Sequence, residues 1–169
     1  MSASNYLEDT LLNHVLRYGN GSLTAGTGAG YQPPATVYVA LFADNSTNVA
    51  GALESGTSAT GSASDWGDFE ITTGGSTQYV RQSVTFGAAG SLGGYNTGQI
   101  KNTTQVSFPV AGANYTTDAG YGSTVTHIAI MDNSSGGNVL FFGALTTPKT
   151  VSSGDQFTIS ASNLAISLD

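Results

Sequence analysis

The chain contains no cysteine, which excludes disulfides and thiolate metal sites and leaves it indifferent to redox compartment. It is almost as poor in charge. Only 9% of its 169 residues are charged, against roughly 25% in an average soluble domain, so most of the surface falls to Ser, Thr, Asn, Gly and Gln. Positive charge is scarcest of all. Arg17, Arg81, Lys101 and Lys149 are the only fixed cations and the net charge is −7, which leaves no patch able to neutralise several phosphates and excludes nucleic acid as a direct partner. No apolar run approaches the ~18 residues of a membrane span, and Met1–Asn5 has neither the basic nor the apolar stretch of a secretory signal. The expectation is a soluble chain with no membrane contact. The Asn-X-Ser/Thr sequons at Asn20, Asn45, Asn102, Asn114 and Asn133 are then read as loop composition, since no secretory route is announced.

What remains is enough for one domain over residues 1–169, large enough to bury a core without a staple. Asn5–Tyr18 reads as an amphipathic helix: Asn5 can cap, Glu8 follows three residues on, and Leu7, Leu11, Leu12, Val15 and Leu16 share a stripe. That stripe is either core or a face offered to a partner. Pro33-Pro34 delivers an extended chain into Thr36–Phe42, apolar on both faces like a central strand. A loop-rich excursion of Gly, Ser, Thr and Ala occupies about 45–76, expected to lie mostly on the surface and to be ordered partly by Trp66 and partly by another chain. Strands are expected over Tyr79–Phe86, Gln99–Asn102, Thr104–Phe108, Val125–Met131, Val139–Ala144, Lys149–Val151, Phe157–Ser160 and Leu164–Leu168. Many short strands between Gly, Ser and Asn turns indicate a mainly β, antiparallel sandwich or jelly-roll-like fold with one N-terminal helix and long Gly/Ser/Thr-rich loops.

No constellation of reactive groups stands out. His14 and His127, the only histidines, have no ligand or triad partner at a useful spacing, and His127 lies in an expected core strand. Asp65, Asp68 and Glu70 form the one acidic cluster, read as a solvated turn because the glycine placement of a calcium loop is missing. Asp132-Asn133 before Gly136-Gly137 is read in the same way. The glycine-rich runs 19–30 and 87–98 lack a phosphate loop's lysine and are turns. No enzyme activity, metal or cofactor is expected. The repeated tripeptide at Phe86–Ala88 and Phe142–Ala144 has no repeating surroundings, so it is read as two similar strand ends.

Aromatic residues on such a polar surface suit protein interfaces or carbohydrate stacking. Tyr38 and Tyr79 are assigned to the core. Tyr95, Tyr115 and Tyr121 lie in glycine-rich loops, and with Trp66, Leu7 and Leu11 they are the candidate interface residues. Val139–Asp155 combines a buried strand, the proline-marked edge at Pro148 and a tight turn, with no reactive group. Its Phe141, Leu145 and Val151 are expected to hold the sheets together.

Several segments in this order resemble a family of small tailed-bacteriophage virion proteins, labelled tail fibre or capsid decoration proteins. They are Ser4–Glu8 with Leu11–Leu16, then Val37–Phe42, Tyr79–Phe86, Val125–Ile130 and Val139–Asp155. The resemblance implies a β-rich, non-enzymatic subunit on the outer surface of the virion, made in the host cytoplasm. It leads to the expectation of a capsid decoration (cement) protein docked on the major capsid protein lattice and on copies of itself, with trimerisation as a guess. The alternative is a tail or neck fibre component contacting other tail proteins or host glycans.

Overall fold

The computed structural model describes residues 1–4, 34–43, 49–55, 66–88, 99–117 and 120–167. The strands are β1 (Ser2–Ala3), β2 (Val37–Ala43), β3 (Gln82–Val84), β4 (Gln99–Lys101), β5 (Val106–Ser107), β6 (Thr124–Met131), β7 (Val139–Thr150), β8 (Thr158–Ile159) and β9 (Ala165–Ser167). All of their pairings are antiparallel. One five-stranded sheet runs β1-β7-β6-β2-β3, and β4-β9 and β5-β8 form two small sheets. The mainly β, antiparallel expectation holds, while the finer sandwich or jelly-roll arrangement does not follow from these pairings. The helix expected over Asn5–Tyr18 lies outside the described residues.

The strand Val37–Ala43 shows why both sheet faces are covered. Its side chains alternate, with Val39, Leu41 and Ala43 entering one apolar cluster and Ala40 and Phe42 entering another. The first cluster takes in Tyr79, Phe108, Tyr115, Phe157, Leu164 and Ile166 from the loops and small sheets. The second is closed by the helix Val49–Ser55 and the 3-10 turn Trp66–Phe69. Each fully buried large side chain contributes roughly 1.5–3 kcal/mol of transfer free energy.

Within the excursion at about 45–76, the described residues reach the core as well as the surface. Val49, Ala52 and Leu53 are buried, as are Trp66, Phe69 and Ile71. Helical spacing at positions i, i+3 and i+4 is present in Val49, Ala52 and Leu53, but Gly51 and the surrounding small residues hide it.

The two strands expected over Val139–Ala144 and Lys149–Val151 are one, β7. Its pairing with β6 is interrupted twice. Leu140 is extra between the pairs Ile130↔Phe141 and Met131↔Val139, so Leu140 and Phe141 both pack against the first cluster. Further on, two steps along β6 from Val125 to His127 are met by five along β7 from Lys149 to Ala144. The surplus residues include Pro148, which has no N–H to give to a ladder. Val151 is buried as expected, whereas Phe141 and Leu145 are only half-buried at the margin of the core.

Candidate functional site

Among the described residues the most connected polar side chain is Arg81, which stands just before β3 and is buried. Its Nε donates to Glu70 Oε1 and its Nη2 to Glu70 Oε2, both at 2.7 Å, the two-pronged geometry that a guanidinium makes best. Nη1 donates to the carbonyls of Asn133 (2.8 Å) and Gly136 (2.7 Å) in the β6–β7 turn. The guanidinium carbon stands 5.2 Å from the Trp66 ring centroid, a cation–π contact. Burial opposes the Arg81 charge, but the hydrogen bonds and charge of Glu70 outweigh it and hold the pKa above its ordinary value. Glu70 is thus not part of a solvated acidic turn: its side chain is 10% exposed and committed to Arg81 and to the Tyr79 hydroxyl.

A second bracket is built on Asn102. Its Nδ2 donates to the carbonyls of Thr104 (2.8 Å) and Ser160 (3.0 Å), and its Oδ1 accepts from the Leu164 N–H (2.9 Å). Read from sequence as loop composition, Asn102 is fully buried. Asp132 closes the β6–β7 turn by accepting from the backbone and side-chain nitrogens of Asn138. His127 lies on β6, half-buried, with Nδ1 3.0 Å from Thr126 Oγ1. Among the described residues no three His, Cys, Asp or Glu side chains converge as metal ligands would.

The aromatic candidates are placed differently from one another. Trp66 and Tyr115, candidate interface residues in the sequence reading, are buried inside the chain. Trp66 stands edge-on to Phe42 at 6.3 Å, and Tyr115 stands edge-on to Tyr79 at 5.8 Å. A large ring gains more from this burial than from a wet loop. Tyr121 is half-buried, tilted against Phe69 at 4.9 Å. Tyr79 is in the core and Tyr38 packs at its margin. Tyr95, Leu7 and Leu11 lie outside the described residues.

Sequence reading did not single out the open cleft beside the distal half of β7. The large bulge takes Leu145–Pro148 out of regular pairing with β6, and the chain returns past this stretch through the turn at Gly154 and β8. Between them is a space of about 590 Å³. Leu145, Val151, Phe157 and Ile159 contribute its apolar part, with Thr146, Thr147, Thr150, Thr158 and Ser160 supplying hydroxyls. Lys149 is the cation there and Asp155 the anion. The cluster of threonines around Pro148 is the signal that a reading centred on aromatic residues passed over.

No curated protein matches the chain. A family model described as podophage GP4 fiber I protein gp80 matches residues 2–167. With so nearly complete a match, the chain belongs to the podophage GP4 fiber I protein gp80 family, a family of phage virion structural proteins.

Proposed function

We propose that this chain is a non-enzymatic subunit of a podophage fibre, exposed on the outside of the virion and working by binding alone. The family match over residues 2–167 carries the reading. The uses made of the polar side chains agree with it. Arg81, Glu70, Asn102 and Asp132 are each occupied in holding backbone or one another, so the charged and amide groups with the best geometry serve architecture. Neighbouring tail proteins and further copies of the chain are its partners on this reading.

The fibre reading is preferred to capsid decoration because the matched family is described by a fibre. Quantitative densitometry of purified virions, with immunogold labelling, separates the two. A fibre subunit is expected at a few to a few dozen copies, with label at the tail. On the order of hundreds of copies spread over the head would overturn the fibre assignment in favour of a cement role on the major capsid protein.

A further inference from the structure

We infer that β1 is an exchange strand: in the assembled fibre, Met1–Ser4 of one copy seats on β7 of the next. The inference rests on the reading that further copies of the chain are its partners, and adds to it the segment by which one copy grips another.

The seat is specific to these four residues. Ser2 pairs with Phe142 and Ala3 with Phe141, and the Ser4 N–H donates to the Leu140 carbonyl at 3.0 Å. Ser4 is fully buried, and its hydroxyl donates to the Val139 carbonyl beside the bulge at Leu140. At the other end Met1 lies over Gly143, where a Cβ would stand 3.2 Å from Met1 Cγ. Met1 and Ala3 also pack against the first apolar cluster, so β7 without β1 would present an unpaired edge and uncovered core. An identical strand is the occupant whose register and side chains match that seat.

The topology lets β1 reach beyond its own copy. β1 runs antiparallel to β2, and the pairs Met131↔Val139 and Tyr38↔Met131 put the end of β1 at the end of the sheet where β2 begins. Three strand spacings, ~15 Å, separate them. The connection takes residues 5–33, a length whose covalent reach is at most about 100 Å. β1 can therefore close its own sheet or a neighbour's through the same contacts. Held by two ladder pairs at the margin of the sheet, it comes away more easily than any inner strand. Copies aligned in a fibre supply the neighbouring seat at high effective concentration.

Because the chain has no cysteine, introduced pairs report without background. Two full-length chains with different C-terminal tags are co-expressed, one carrying Ser2→Cys and the other Ala144→Cys. Both positions are exposed and are diagonal neighbours across the β1–β7 pairing, ~7–8 Å apart, within reach of a short bismaleimide. A cross-linked band bearing both tags, at twice the mass of one chain, is expected. Val80→Cys in place of Ala144→Cys, exposed and beside β3 at the opposite edge of the sheet, is expected to give none. A second pair, Ala3→Cys with Phe141→Cys, reads the same register as a disulfide. The inference is overturned if neither pair gives a mixed band, if Val80→Cys gives an equally strong one, or if chains carrying both cysteines of a pair close only on themselves. Light scattering on the parent protein tells the failures apart. Associated copies without a mixed band overturn the exchange alone, whereas a monomer at every concentration removes copies of the chain as partners as well.

Discussion

Tyr79 and Tyr115 belong to one core cluster and are both fully buried, but their hydroxyls are treated differently. The Leu41 N–H donates to Tyr79 Oη at 3.0 Å, and that hydroxyl donates to Glu70 Oε1 at 3.0 Å. The Tyr115 hydroxyl has no hydrogen-bond partner among the described residues. Opposite outcomes are expected from the same substitution. Tyr79→Phe strands a buried N–H and should cost about 1–3 kcal/mol, whereas Tyr115→Phe removes an orphan and should stabilise by about 1 kcal/mol. Urea unfolding of the two variants reads both. Burial, reinforced by the Glu70 carboxylate, pushes the Tyr79 phenol well above its ordinary value of 10.0. The unfolded phenol loses its proton first, so this contribution to stability is complete below about pH 10 and declines as pH rises towards the folded value. Burial raises Tyr115 as well, with the same sign. Tyr79→Phe should therefore flatten the alkaline fall in the unfolding midpoint, whatever it does to the midpoint itself.

At the scale of elements, the turn joining β6 to β7 depends on one glycine more than on its neighbour. Gly136 and Gly137 both have positive φ, at 58° and 76°. A Cβ on Gly136 meets nothing within 4 Å, while one on Gly137 would stand 2.3 Å from Asp132 Oδ1 and 2.7 Å from Asn133 Cβ. Gly136→Ala is expected to cost about 1 kcal/mol of backbone strain. Gly137→Ala should cost appreciably more, because Asp132 must give up its hold on Asn138 to make room; thermal unfolding of the two variants checks the order. This hairpin was among the parts legible in sequence, since Asp132–Gly137 is dense in turn formers and both flanking runs are apolar. Thr36–Phe42 was legible for the same reason, and it falls within one residue of β2. The continuity of β7 was not, because Pro148 reads locally as an end and only the partner strand shows that it sits in a bulge. Nor were the two polar brackets. Glu70 and Arg81 are eleven positions apart, and Asn102 finds partners as distant as Leu164, so neither leaves a local pattern.

Across the whole molecule, Arg81 fastens three stretches that share no secondary structure: Trp66–Glu70, its own approach to β3, and the β6–β7 turn. Arg81→Met leaves Glu70 charged and largely buried, and a loss of about 3–5 kcal/mol is expected. Pairing it with Glu70→Leu should recover part of that loss, since an apolar pair can replace a buried ion pair at little cost. Recovery should remain incomplete, because the Asn133 and Gly136 carbonyls still lose their donor. Full recovery in a double-mutant cycle would show that the turn does not need Arg81. One consequence of β1 bears on how the protein is handled. Ser2 pairs with Phe142 and Ala3 with Phe141, which sets Met1 against Gly143, so residues fused ahead of Met1 would be directed from Ala144 on towards Thr150. An affinity tag placed there would be threaded past the mouth of the cleft, acting as an unintended competitor in any ligand screen.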